Sequence, residues 1–270
     1  LDVPHARLVA SLRARGQRWI EDPSNQDRRF ERVRVRGQLL RLAARGWRAE
    51  RIIGHAAAYA AGRRDLERRA IDLLGKAARV HPMGYVVLDR PTLLGAPPGE
   101  RAAMLARAIV VAGGRPYQPS PEACARLAEG LAAAAARRTL GGCVVVAHPN
   151  SWLVAREVRA ARAAVALAAS PIHWDSRFVL TWRGPDVPDI VVRRLGRDGW
   201  RQVRDTAKPD DAAPVEALWT LPALWRLDEV VAVPHLNFGR IPWSVEARFR
   251  PLQLLMSPHL GPAGRTSGEA

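Results

Sequence analysis

Cysteine is nearly missing from this 270-residue sequence: Cys124 and Cys143 are too few for a disulfide framework and too far apart for a CxxC zinc or redox pair. Long apolar runs are missing too. Arg or Pro interrupts every stretch that approaches the roughly 18 residues a membrane span needs. The first 20 residues carry Arg7, Arg13, Arg15 and Arg18 where a secretory signal would have its apolar core. A soluble, cytoplasmic protein with no membrane partner is therefore expected. Signatures of common active sites are absent as well: HExxH, GxSxG and GxxxxGK[ST] do not occur, and the seven histidines lack ligand spacing, so no metal site is expected. Gly113-Gly114 and Gly141-Gly142 have no Lys-Ser/Thr or Asp-Ser after them and do not read as phosphate cradles.

Acidic residues are in short supply. Lys+Arg number 42 against 26 Asp+Glu, a net charge of +16, and only Lys76 and Lys208 are lysines. GC-rich codons inflate Arg and Ala together, so part of the total is compositional. The distribution is more informative, since residues 1–80 hold 19 basic and 9 acidic side chains, and residues 81–270 the other 23 and 17. A basic excess concentrated in the first third is the footprint of a polyanion-binding face. At 48% hydrophobic residues the chain is too apolar for intrinsic disorder and long enough for about two domains. It opens on Leu1, not Met, and is read as a piece of a longer protein.

Periodicity divides the chain. Residues 4–16 read as a short amphipathic helix stopped by Gly16, and residues 47–80, 99–112 and 121–137 as further helices. The last opens on Ser120-Pro121-Glu122, a cap, a proline and an early acid. Tyr85 to Leu88 form a strand. From Thr139 the period shortens: apolar runs at 143–147 and 152–156 flank His148-Pro149-Asn150-Ser151, a hairpin signal, and strands are expected near 176–182, 189–195, 216–219 and 229–233. Trp174, Trp182, Trp200, Trp219, Trp225 and Trp243 all fall in this half; stacking on bases is one use for them, filling a β-rich core the more usual one.

The candidate site residues lie early. Trp19-Ile20-Glu21-Asp22-Pro23-Ser24-Asn25-Gln26-Asp27 is a turn rich in side chains that bond their own backbone, followed by a helix from about Arg28. On that helix Phe30, Val33, Gly37 and Leu40 share one face, expected to pack inward. Arg28, Arg32 and Arg36 lie at i, i+4 and i+8 on the other, with Arg29 beside them as further basic support. A row of guanidinium groups repels itself unless solvent or an anion compensates it.

This turn and helix resemble the W-x-E-D-x-S-N-x-D-x-x-x-x-R-x-x-x-R signature of the tRNA(Ile)-lysidine synthetase family. The similarity continues through Gly113-Gly114-Arg115-Pro116-Tyr117, Thr139-Leu140-Gly141-Gly142-Cys143, Ala155-Arg156-Glu157, Trp174-Asp175-Ser176-Arg177-Phe178, and Leu221-Pro222-Ala223-Leu224 to Val233-Pro234. The resemblance implies an α+β chain: residues 1–37 close a Rossmann-like catalytic domain, 38–137 form a helical tRNA-recognition domain, 138–262 a β-rich domain and 263–270 a disordered tail. It implies a ligase that uses ATP, with Mg, to adenylate the wobble cytidine of the isoleucine tRNA with a CAU anticodon. The amine of free lysine then displaces AMP. Asp22, Asn25, Arg32 and Arg36 become active-site or tRNA-binding candidates, because Arg supplies bidentate contacts to phosphate and Asp22 and Asn25 fix the turn or hold the amine. The family's S-G-G-x-D-S loop for ATP does not occur in this sequence, so the chain alone is expected to bind no ATP and to be inactive. A non-catalytic RNA-binding module is the alternative. No helix-turn-helix signal points to DNA, and a homodimer is left open.

Overall fold

The computed structural model describes residues 3, 5–20, 22, 27–47, 49–132, 136–167, 170–185, 187–207 and 213–257, and only the backbone of residues 5, 32, 49, 50, 52 and 53. The expected 263–270 tail lies outside them. The chain divides into two units, Leu1–Gly62 and Arg63–Ala270, and its class is α+β.

The first unit contains α1 (His5–Ala14), α2 (Glu31–Ala44) and the start of α3 (Ala49–Ala77). α1 and α2 end alike. Gly16 and Gly46 take positive φ, and Gln17 and Trp47 donate their N–H back to the Leu12 and Leu42 carbonyls, both at 3.0 Å. That is the left-handed cap glycine permits. No described side chain of this unit is buried. The face expected to pack inward is exposed accordingly, Phe30 to 45% and Leu40 to 68%, with only Val33 and Gly37 half-buried. Among the described residues, nothing in the unit forms a second layer over it.

The second unit is layered. Its strands are β1 (Ala78–His81), β2 (Tyr85–Asp89), β3 (Arg137–Leu140), β4 (Cys143–Ala147), β5 (Ser151–Arg156), β6 (Val165–Ala166), β7 (Ile172–Trp174), β8 (Phe178–Arg183), β9 (Ile190–Arg194), β10 (Pro222–Arg226), β11 (Glu229–Val233), β12 (Phe238–Gly239) and β13 (Ser244–Phe249). Its shorter helices are α4 (Arg90–Gly95), α5 (Pro98–Gly113), α6 (Pro121–Ala132), α7 (Gly196–Val203) and α8 (Val215–Leu218). Three antiparallel sheets result, in the orders β1-β2-β5-β4-β3, β12-β11-β10-β9-β6 and β13-β8-β7.

The first sheet is covered on both faces, which explains its sequence. Trp152, Val154, Cys143, Val145, Val86 and Leu88 point into a core shared with α5, α6 and the end of α3. Their neighbours Leu153, Ala155, Val144 and Tyr85 point into a second core with the other two sheets. A strand buried on both sides reads as an unbroken apolar run, as 143–147 and 152–156 do. The expected hairpin is present, Val145 facing Val154.

Several elements depart from expectation. The helix expected to reach 137 is described as far as Ala132, and Arg137, its expected end, belongs instead to a strand that pairs with β4. The strand expected at 216–219 is α8, opened by Pro214, whose carbonyl accepts from Ala217 and Leu218 at 2.9 and 3.1 Å. α4 was unforeseen; its cap is Asp89, which accepts from the Thr92 N–H at 2.9 Å and its hydroxyl at 2.6 Å. Within α5, Arg107 is buried among apolar neighbours and spends one NH1 group on the Leu255 and Ser257 carbonyls, at 3.2 and 2.8 Å. Gln253 donates to the Pro116 carbonyl at 2.7 Å, so residues 250–257 lie strapped across this helix.

Candidate functional site

The early turn is organised by Asp27. Its Oδ1 accepts the Arg29 backbone N–H at 2.9 Å, and Oδ2 takes Nε and NH2 of the same residue at 2.8 and 2.7 Å. Arg29 therefore holds the Asp27 carboxyl below its ordinary range. Arg34 gathers the Arg28 and Arg29 carbonyls at 3.3 and 3.0 Å. The helix begins only at Glu31, so Arg28 stands in the turn and the expected row of three shortens to Arg32 and Arg36. Arg28, Arg36 and Asp22 are exposed. Asn25 and the Arg32 side chain lie outside the described residues. Arg29, expected as basic support, is engaged with Asp27, and the spacing of the two was the signal for that.

A second site lies wholly in the second unit and was not foreseen. Asp175, buried, receives three donors: Arg156 NH2 at 3.0 Å and the Arg162 backbone N–H at 2.9 Å on Oδ1, and Arg177 Nε at 2.8 Å on Oδ2. Arg177 is fully buried and spends its other nitrogens on the Thr220 carbonyl at 3.0 Å and the Gly84 carbonyl at 3.5 Å. Burial brings its pKa down to about 10, against the opposing pull of Asp175. Arg156 donates to the carbonyls of Gly113, at 2.7 Å, and Ala160. The segments that carry the resemblance, around Gly113, Gly142, Arg156 and Asp175, thus converge on one buried cluster. Their wide separation in the chain hid this.

The glycine pairs serve that convergence. At Gly114, φ is +59°, and a Cβ would lie 2.5 Å from Arg177 Cγ and 2.7 Å from the Asp175 carbonyl. Beside Gly113 the Cys143 Sγ occupies the space at 3.0 Å, and beside Gly141 the Ile109 side chain at 2.8 Å. With neighbours this close, glycine is required for these loops to pack as they do. Cys143 is inert for the same reason, its thiol pushed up to about 12 by burial.

Two clefts flank the cluster. One, about 460 Å³, is lined by Arg115, Arg156, Arg162 and Ser176. The other, about 640 Å³, is lined by Arg162, Arg193, Arg194, Arg197 and Trp225, with Asp198 and Asp228 also on its wall. Arg193 lies 3.8 Å over the Trp225 ring and Arg197 5.0 Å over Trp219. None of the six late tryptophans is exposed; Trp174 and Trp225 are buried and the rest half-buried. Trp174 and Trp225 fill the core, and Trp182 and Trp200 pack against it. Among the described residues no cluster of His, Cys, Asp and Glu could hold a metal, and no helix is long and apolar enough to cross a membrane.

Known proteins resemble this chain along most of its length. A PP-loop domain matches residues 1–43. The tRNA(Ile)-lysidine synthase of Ruegeria pomeroyi is 34% identical over 249 residues, covering 91% of this chain and 57% of the relative. That of Rhizobium meliloti is 33% identical over 214 residues, 77% of this chain and 44% of its own length. That of Brucella anthropi is 29% identical over 252 residues, 88% and 53%. The chain spans about half the length of these curated relatives. By that extent of identity, the chain belongs to the tRNA(Ile)-lysidine synthase family.

Proposed function

We propose that the chain is the tRNA-handling portion of a ligase that attaches lysine to the wobble cytidine of the isoleucine tRNA with a CAU anticodon. The observation that carries this is the 34% identity over 91% of the chain, supported by the net charge of +16. Residues 1–37 close the catalytic domain, and 38–137 and 138–262 bind the RNA. Arg32 and Arg36 are the residues assigned to the phosphates around the reacting nucleotide, where bidentate guanidinium contacts stabilise charge. Asp22 and Asn25 set the turn that aims them. No described residue is assigned to ATP. Its use, with Mg, belongs to a polypeptide that carries the S-G-G-x-D-S loop, and the 270-residue chain by itself catalyses no ATP–pyrophosphate exchange.

The test joins this chain to a domain bearing that loop and measures lysine incorporation into the tRNA. Arg36→Ala should lower kcat/KM about 10²-fold, or roughly 2.7 kcal/mol of transition-state stabilisation, at unchanged melting temperature. Arg63→Ala, whose side chain is exposed and pairs with Glu67 at 3.1 Å, should cost little. Equal, small effects at both positions would refute a role at the reaction centre and leave a non-catalytic RNA-binding module as the better account.

A further inference from the structure

Among the described residues, arginines line clefts outside the basic first third. They converge in the second unit, on either side of Arg162, which lines both clefts. Arg162 is held in place: its backbone N–H is fixed by Asp175 Oδ1 at 2.9 Å, while its side chain is exposed and has no partner among the described residues. Arg194 on one side and Arg115 on the other are likewise exposed and unpaired among the described residues. The acids nearby do not neutralise them, since Asp198 is paired with Arg201 at 3.2 Å and Asp228 stands 3.7 Å from Arg193. Arg197 lies over the Trp219 face, which fixes its plane and leaves its N–H edges without a partner among the described residues. Arg193, over Trp225, instead spends its NH2 on the Leu227 carbonyl at 3.3 Å and on Asp228 at 3.7 Å. The Trp225 indole N–H and Arg193 Nε are buried with no partner among the described residues.

We propose that the two clefts form one track for consecutive phosphates of an RNA backbone, with Arg162 as its shared contact and Asp175 as the positioning residue that sets Arg162. The proposal rests on the reading of the chain as a tRNA-handling protein and adds to it the residues that take the phosphates. The track positions the RNA without reading its bases, because guanidinium–phosphate contacts carry no sequence information.

The experiment titrates the 270-residue chain with a transcript of the CAU-anticodon isoleucine tRNA at several salt concentrations. The slope of log affinity against log salt measures phosphate contacts, at roughly 0.7–0.9 per contact. Arg162→Ala, Arg194→Ala and Arg197→Ala should each reduce the slope by about one contact, and the triple variant should lose most of the affinity at unchanged melting temperature. Arg162→Lys, which keeps the charge, should restore the slope. In Asp175→Asn, affinity should fall while Arg162→Ala added to it costs less than in the parent. A triple variant with parental affinity and slope overturns the track and leaves the tRNA reading standing. A parent chain that binds no tRNA at 50 mM salt overturns both.

Discussion

Asp175→Ala removes the only carboxylate that touches Arg177 among the described residues. The guanidinium would stay fully buried with two neutral carbonyl partners, Thr220 at 3.0 Å and Gly84 at 3.5 Å. Removing one partner of a buried ion pair leaves an uncompensated charge and costs about 3–5 kcal/mol. In a unit of this size each kcal/mol lowers the melting temperature by about 2–4 °C, so a fall of roughly 6–20 °C is expected in a thermal melt followed by circular dichroism. Asp198→Ala breaks a surface pair and should shift stability by no more than about 0.5 kcal/mol. The double variant Asp175→Ala/Arg177→Met should recover part of the loss, because the stranded charge has gone with its partner. A loss below about 1 kcal/mol in the single variant, or a double variant whose loss is the sum of the two singles, would refute the compensation argument.

Gly114→Ala should cost about 2–4 kcal/mol, since its Cβ would meet Arg177 and the Asp175 carbonyl at positive φ, whereas Gly37→Ala, with nothing within 4 Å, should be neutral or stabilise α2; denaturant midpoints for the two check this. Burial holds the His235 imidazole down at about 4, with Arg177 and His81 pushing the same way and the Pro82 carbonyl opposing. Below its usual pKa of about 6.5 the unfolded chain takes up a proton that the folded one refuses, so stability is full above that pH and falls, by at most about 3 kcal/mol, as pH drops towards 4. His235→Gln should flatten that slope, and an unchanged slope would refute the assignment.

What the sequence made legible was local. α5 and α6 carry their prolines at the first turn and their apolar stripes, and the β4–β5 hairpin carries its turn residues, so each can be read from neighbours in the chain. Ser244–Phe249 alternates polar and apolar as a strand should, yet the sequence reading left it without an element; its partner is β8, distant in sequence. The buried cluster was harder still. Nothing in Trp174-Asp175-Ser176-Arg177 tells that one arginine turns inward to a carbonyl 93 residues away, while Arg162 is left facing solvent. The early arginines were conspicuous because they are close together; those of the clefts are assembled by the fold.

Arg107 has a consequence for the order in which the chain is made. Its carbonyl acceptor at Leu255 is synthesised 148 residues later. At about 5–20 residues per second the ribosome takes roughly 7–30 s to deliver it. Throughout that interval Glu67, 4.0 Å from Arg107 NH2, can pair with the charge, but NH1 lacks its carbonyl acceptors, and apolar residues that close over it strand that donor. The middle of α5 is therefore sealed late, after its own helix and the sheet beside it have been translated, and this interval is when the unit exposes a partly built core to chaperones or to neighbouring chains.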